Sequence, residues 1–276
     1  MEEKEKFNKL IELAEEYIKT NAGKYLIVAR ELKGNNYTCK ELIKDTYRPI
    51  CELNDIKKCN DWKNILLKRF CIGLQNYHHM TNAINYVQYS GNEQYDEDDN
   101  KIFVIAKSFL NKKSINDSEL LKTFEKELQI TKNSSWERYS RGLVDAINYI
   151  NGLKREKFVE TLEKINKDND KSALKSIYKD IHYMGEALAY DFVKEIGCRN
   201  VIKPDTHIKD IAKQLLDIEK DIPNEIIRLC YANKIEPYYA DKILWLCCSG
   251  NFYEDGITIN SMNRKNFIKY YNKRFK

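Results

Sequence analysis

Apolar residues in this chain recur at intervals of three and four along most of its length. The clearest examples are Phe7, Leu10, Ile11, Leu13, Ala14 and Ile18 in one segment and Phe158, Leu162 and Ile165 in another. Because an α-helix has about 3.6 residues per turn, this spacing collects apolar side chains on one face of a helix. Sustained alternation of period two, which indicates strands, is missing from the sequence. The pattern therefore predicts an all-α fold.

The composition agrees with a folded helical protein. The chain has 276 residues, of which 42% are hydrophobic and 32% charged, with only 10 Gly and 4 Pro. This is too apolar for a disordered chain and too poor in turn-forming residues for a many-stranded β protein. The 8 Cys contain no C-x-x-C pair, so we expect reduced, mostly buried thiols and assign no metal site.

Charge and hydropathy limit the partners only in part. The 47 Lys and Arg against 42 Asp and Glu give a net charge of +5, which permits a polyanionic partner without requiring one. No stretch approaches the roughly 20 uncharged apolar residues that cross a bilayer, and the opening MEEKEKFNKL is charged. We therefore expect a cytoplasmic protein, monomeric and without a membrane partner.

A polar, acidic segment interrupts the helical pattern at residues 89–100, YSGNEQYDEDDN. It has too little apolar surface to pack, so it predicts a boundary between an N-terminal helical region, residues 1–100, and a second region, residues 101–276. His78 and His79 beside Tyr77 precede this segment, and their spacing does not indicate what they would bind.

Helix boundaries become clear after Asp170, which can cap a helix over residues 171–182. A tight turn is predicted at residues 183–185 and a second helix at residues 186–196, ended by Gly197 in the left-handed conformation. Further on, Pro223 and Pro237 fit the first turns of two helices, and Gly250 fits the end of the second. Between these groups, Pro204 and Asp205 predict the start of another helix.

The resulting order is helix, three-residue hairpin, helix, loop, and a carboxylate at the start of a third helix. The segment IHYMGEALAYDFVKEIGCRNVIKPDTHIKDI resembles the helix-hairpin-helix DNA glycosylases of the HhH-GPD superfamily. The matching words are MG at 184–185, EIG at 195–197 and PDTH at 204–207, and the resemblance covers about residues 140–216. It implies two helical lobes with an active-site cleft between them, the C-terminal helices packing back on the N-terminal part.

The resemblance also implies a reaction class. Bifunctional members carry a nucleophilic lysine eighteen residues before the aspartate, and this register falls on Ala187 when counted from Asp205. An alanine methyl cannot displace a base or form a Schiff base. The implied activity is hydrolysis of the N-glycosidic bond of a damaged or modified base flipped from duplex DNA, without lyase activity and without a cofactor.

Asp205 is the candidate catalytic residue. Cleavage of this bond passes through an oxocarbenium-like sugar, so a nearby anion lowers the barrier and can orient the attacking water. The structural alternative is an ordinary helix cap. Lys203 and Lys209 flank Asp205 and could contact phosphates, as could His207, although a hydrogen-bonded structural histidine is the more common outcome at such a position.

The hairpin is the candidate DNA-backbone site. A tight turn that leads into a helix presents N–H groups to a phosphate, through main-chain contacts of Tyr183, Met184, Gly185 and Ala187. Tyr183 stands at the first of the two glycine positions that the family usually carries. This departure is expected to weaken binding or to alter the geometry of the hairpin, and a purely structural turn is the alternative.

The pocket for the flipped base would need aromatic walls. Trp136, Tyr139 and Trp245 are candidates, although aromatic residues at helical spacing more often pack in a core. The predicted function is a base-excision glycosylase acting in genome repair or on modified foreign DNA. The alternatives are a catalytically inactive DNA-binding or damage-sensing protein of the same fold, and a helical protein–protein adaptor.

Overall fold

The computed structural model describes residues 2–32, 34, 51–77, 80, 83–89, 100–252 and 256–275. These residues are mostly helical, which confirms the predicted all-α fold. The α-helices are α1 Glu3–Leu32, α2 Leu53–Lys58, α3 Trp62–Leu74, α4 Lys101–Lys107, α5 Asp117–Leu128, α6 Ser134–Gly152, α7 Arg155–Asp168, α8 Lys171–Tyr178, α9 Glu186–Glu195, α10 Thr206–Leu215, α11 Ile222–Ala232, α12 Pro237–Ser249 and α13 Arg264–Phe275. A short antiparallel pair, β1 Asn251–Phe252 and β2 Ile257–Thr258, lies between α12 and α13.

The described residues form two compact units. Residues up to Gly34 and from Arg199 onward make the first unit, and residues 51–198 make the second. The predicted boundary at residue 100 does not separate them, because α3 packs against both α4 and α6 within the second unit. Most of the acidic segment that suggested this boundary, together with His78 and His79, lies outside the described residues.

The core of the first unit forms around α1. This helix packs against α11, α12 and α13, and it buries the whole apolar series from Phe7 to Ile18 that the periodicity predicts. The ring of Tyr17 lies 5.3 Å from that of Phe267 in α13. Burying each large aliphatic side chain contributes about 1.5–3 kcal/mol, so this face alone can hold the N-terminal helix on the C-terminal ones.

The second unit is organised by α3 and α6. Phe70 of α3 stacks on Phe192 of α9 with ring centroids 4.2 Å apart. The predicted apolar series of α7, Phe158, Leu162 and Ile165, is fully buried in this unit. The two helices of the predicted hairpin, α8 and α9, also pack against each other. The second unit thus holds the hairpin on a packed helical base.

The predicted caps of α8 and α9 are confirmed. The Asp170 carboxylate accepts hydrogen bonds from the N–H groups of Ser172 and Ala173, at 2.8 and 3.0 Å. Gly197 has a φ of +102°, and a Cβ there would lie 2.1 Å from the Leu53 nitrogen. The end of α8 comes earlier than predicted, at Tyr178 rather than residue 182.

The predicted starts of α11 and α12 and the predicted end of α12 are confirmed as well. Pro223 lies in the first turn of α11 and Pro237 in that of α12. Gly250 ends α12 with a φ of +64°, where a Cβ would lie 2.3 Å from the Ile259 carbonyl oxygen. Two different constraints therefore require glycine at this position: the left-handed backbone and the close approach of another chain segment.

The described cysteines are free, and each is buried apart from the partly exposed Cys59, in agreement with the prediction. Cys39 lies outside the described residues. Within the part of the chain that the structure covers, no helix has the length and apolar character to span a bilayer. In the same part, no group of three His, Cys, Asp or Glu side chains is arranged to hold a metal ion.

Candidate active site

The residues predicted for the site lie in both units. Asp205 and its neighbours belong to the first unit, and the hairpin belongs to the second. Each part has its own local geometry, which the neighbouring helices determine.

Asp205 is the N-cap of α10, as the sequence predicts. Its backbone is extended, with φ −80° and ψ 177°, and one carboxylate oxygen accepts a hydrogen bond from the Ile208 N–H at 3.0 Å. No described residue donates to the other oxygen, and the side chain is partly exposed. The positive end of the helix favours a negative charge at this position. Asp205 therefore combines a fixed orientation with an accessible, unused acceptor.

A buried carboxylate holds the loop that leads to Asp205. The Asp241 side chain in α12 is only 1% exposed and accepts a hydrogen bond from the Lys203 N–H at 2.7 Å. At the start of the same loop, the Arg199 carbonyl accepts from the Tyr238 N–H at 2.8 Å. Sequence reasoning missed Asp241, although an acid in the mostly apolar α12 is a signal that could have identified it.

Arg264, the first residue of α13, contacts residues in the first two turns of α10. Its guanidinium donates to the Thr206 carbonyl at 3.3 Å and forms an ion pair with Asp210 at 2.9 Å. This residue was also missed, because its position depends on how α13 packs. The pair fixes a positive charge beside the helix that carries Asp205.

His207, in the first turn of α10, is not the fully hydrogen-bonded histidine that we expected. Its Nδ1 is buried and has no hydrogen-bond partner among the described residues. Burial lowers the pKa of the imidazole, with Arg264 and Lys203 acting in the same direction, while Asp205 and Asp210 oppose the shift. The structure therefore favours a neutral imidazole next to the Asp205 carboxylate.

The remaining candidates in this unit differ in exposure. Lys209 is exposed, whereas Lys203 is partly buried. Trp245 is partly buried and packs against the core of the first unit from α12. Phosphate contacts of Lys203 and Lys209 and a pocket-lining role for Trp245 stay predictions.

In the second unit, the hairpin has the backbone of a glycine-containing turn. Tyr183 adopts φ +64°, a left-handed conformation that glycine reaches easily and other residues rarely take. Gly185 is the N-cap of α9, and no side chain caps the N–H groups of that helix. A Cβ at Gly185 would meet no atom within 4 Å, so a side chain could be added there without a clash. The Met184 side chain is buried, which leaves only its main chain for contacts.

The hairpin is attached to α6 through His182. Its N–H and Nδ1 lie 3.0 and 2.7 Å from one Asp145 carboxylate oxygen, and Arg141 lies 2.9 Å from its Nε2. A Cβ on Gly142 would lie 2.7 Å from the His182 carbonyl oxygen, so only glycine allows this approach. Beyond Tyr178, the Ile181 N–H bonds to the Tyr178 carbonyl three residues back and the His182 N–H bonds to Asp145, so neither group extends α8.

Trp136 and Tyr139 are corrected from base-pocket candidates to core residues. Trp136 is 2% exposed and Tyr139 is 1% exposed, and both rings pack against Phe124. The Tyr139 hydroxyl donates to the Cys71 carbonyl at 2.9 Å. Since neither ring has a face open to solvent, neither can stack on a flipped base.

Together these residues supply an accessible carboxylate on a capped helix and, separately, a helix N-terminus with open N–H groups. A carboxylate of this kind can stabilise positive charge and orient water, and open N–H groups can bind an oxyanion. The chain matches no known protein-family model, no curated protein and no solved structure.

Proposed function

We propose that this protein is a helix-hairpin-helix DNA glycosylase that hydrolyses the N-glycosidic bond of a damaged or modified base in double-stranded DNA. The observation that carries the proposal is the state of Asp205. One of its oxygens accepts the Ile208 N–H at 3.0 Å, while the other meets no donor among the described residues. An anchored carboxylate with an unused oxygen suits the developing positive charge of the sugar and the attacking water.

The open N-terminus of α9 supports the DNA-binding part of the proposal. The N-cap Gly185 is exposed and supplies no side-chain cap to the N–H groups behind it, although the acid Glu186 lies in the same first turn. A phosphate oxygen can accept hydrogen bonds from such groups, and the helix dipole favours its charge. The positive φ of Tyr183 supports a hairpin of the glycine type despite the larger residue.

Ala187 lies in the first turn of α9, where it is partly exposed. Because its methyl group cannot attack a sugar carbon, the proposed reaction uses water as the only nucleophile and leaves an intact abasic site. The bond from the base to C1′ breaks with its electron pair leaving on the base, and water adds its oxygen to C1′. The proton that this water loses passes to Asp205 and then to the departing base, which leaves as the neutral free base. The same residue also favours the alternative function, a protein that binds damaged DNA without excising the base.

The test is release of free base from duplex oligonucleotides that carry uracil, alkylated purines, oxidised purines or modified cytosines. We expect release from at least one of them, and a fall of about 100-fold or more in the single-turnover rate with Asp205→Asn. Asparagine retains the cap acceptor, so folding should be nearly unchanged. Asp170→Asn is the matched control, because Asp170 caps α8 in the same way.

Three outcomes have different consequences. DNA binding without release from any of these substrates would favour the inactive binding protein. Equal loss of activity in both variants would show that Asp205 acts only as a cap. A covalent protein–DNA adduct trapped by borohydride would overturn the water mechanism, since it requires an amine nucleophile.

A further inference from the structure

A polar groove of about 400 Å³ lies beside the hairpin in the second unit. Its lining includes Lys132, Ser134, Glu137, Arg138, Arg141 and Tyr183. Most of these residues come from α6 and the segment before it, while Tyr183 comes from the hairpin. The groove therefore borders the hairpin.

The charges in this groove are unequally compensated. Lys132 pairs with Glu137 at 3.1 Å, and Asp117, which also lines the groove, lies in the first turn of α5, where the helix dipole stabilises its negative charge. Arg138 is exposed and forms no hydrogen bond or ion pair with a described residue. Since Arg138 and Arg141 are three residues apart in α6, they occupy the same face of the helix.

Arg141 contacts an imidazole, and no carboxylate of a described residue binds its guanidinium directly. The Nδ1 of His182 lies 2.7 Å from Asp145, and its Nε2 accepts a hydrogen bond from Arg141, because a guanidinium can only donate. This chain of bonds from Asp145 through His182 orients one side of the guanidinium. The other N–H donors of Arg141 remain available in the groove, in the planar arrangement that suits a phosphate.

Tyr183 belongs both to the turn and to the lining of the groove. Its positive φ keeps the turn in a glycine-like backbone, and its side chain forms part of the groove wall together with Arg138 and Arg141. The two arginines thus share the groove with a residue that lies two positions before the N-cap of α9. Consecutive phosphates of one DNA strand would need two neighbouring anion sites of this kind.

We propose that Arg138 and Arg141 form a second phosphodiester site, which binds the DNA strand next to the phosphate held by the hairpin. The proposal rests on the proposed function for the identity of its ligand. It assigns to these arginines a sequence-independent role, in which they bind the backbone and contribute to affinity at any DNA sequence.

The experiment measures binding of an undamaged 16-base-pair duplex by fluorescence anisotropy between 50 and 200 mM salt. We expect Arg138→Ala with Arg141→Ala to lower affinity about 10-fold or more at the lowest salt, and to reduce the slope of log K against log salt by about 2. The matched control is Lys157→Ala with Lys164→Ala, which removes the same charge from exposed positions of α7. Arg138→Ala alone breaks no described contact, so its expected loss of about one unit of slope is independent of folding effects.

The results separate this proposal from the proposed function. If the arginine pair and the lysine pair lose affinity and slope equally, the groove holds no phosphate, whatever the base-release assay gives. If arginine-dependent binding appears but no base is released, the second phosphate site stands and the glycosylase proposal fails. If the unmodified protein does not bind duplex DNA even at 50 mM salt, both proposals fail.

Discussion

The N-termini of α9 and α10 differ in how their N–H groups are satisfied. At α10, Asp205 supplies both a hydrogen-bond acceptor and a negative charge from within the chain. At α9, the N-cap Gly185 has no side chain to act as an acceptor, and the negative charge of Glu186 lies in the first turn without a cap hydrogen bond. Since every helix begins with unsatisfied N–H groups, the second arrangement leaves donors for an anion from outside.

This difference teaches that the same backbone feature can serve two chemical purposes. A capped N-terminus holds its own carboxylate in a fixed orientation, which suits chemistry at a developing cation. An uncapped one binds an oxyanion of another molecule. In both cases neighbouring helices fix the turn: the buried Asp241 holds the loop before α10, and Gly142 and Asp145 of α6 hold the hairpin before α9.

The largest predicted effect comes from making the α9 terminus resemble the α10 terminus. Gly185→Asp adds an acceptor that can occupy the N–H groups and a charge that repels phosphate. We expect duplex DNA affinity to fall about 10-fold or more at 50 mM salt, measured by anisotropy. The fold should tolerate the change, because a Cβ at Gly185 meets no atom within 4 Å.

Gly152→Asp is the control for this prediction. It adds the same charge at another exposed position where a Cβ also meets no atom within 4 Å. If both variants weaken binding equally, the loss comes from net charge and the α9 terminus has no special role.

A smaller effect is expected for the strained residue of the hairpin. Both Tyr183→Gly and Tyr183→Ala remove the ring, but only alanine keeps a Cβ in the left-handed conformation. We expect the glycine variant to be more stable than the alanine variant by about 1 kcal/mol in urea unfolding.

The reverse order is expected in a regular helix. At the exposed Ser176, inside α8, alanine should be more stable than glycine by about 0.5–1 kcal/mol. If alanine is preferred at position 183 as well, then the turn does not use the positive φ, and the glycine-like hairpin is refuted.

Much of the helical framework could be predicted from the sequence, because its signals are local. The three- and four-residue periodicity gave the buried face of α1, and Asp170, Asp205, Gly197 and Gly250 marked helix ends by their own conformational preferences. The predicted end of α8 was wrong by four residues, and there the His182 N–H bonds to Asp145, far away in sequence, instead of continuing the helix. Tertiary contacts of this kind leave no local signal.

The residues around the candidate site were harder to predict from the sequence for the same reason. Asp241 and Arg264 act on the Asp205 segment from α12 and α13, 36 and 59 residues further along the chain. At Trp136 and Tyr139 the error was a pocket predicted where the structure has a core. Their aromatic side chains suggested a base pocket, while their helical spacing fits a core. Only the packing of α5 and α6 decides between these interpretations.

The smallest predicted effect concerns His207 at the α10 terminus. Burial, together with Arg264 and Lys203, lowers the pKa of this imidazole in the folded protein, against the opposing influence of Asp205 and Asp210. In the unfolded chain its pKa returns to about 6.5. As the pH falls through this value, the unfolded state binds a proton that the folded state resists, so the free energy of unfolding decreases.

Urea unfolding at pH 7.5 and pH 5.5 tests this expectation by comparison with His207→Gln, which keeps a polar side chain but does not titrate. The unmodified protein should lose more stability between the two pH values than the variant does. The exposed His182, which pairs with Asp145 in the second unit, is present in both proteins and cancels in the difference. Equal losses would mean that His207 is protonated as readily in the folded state as in the unfolded one, and that the α10 terminus does not favour a neutral imidazole beside Asp205.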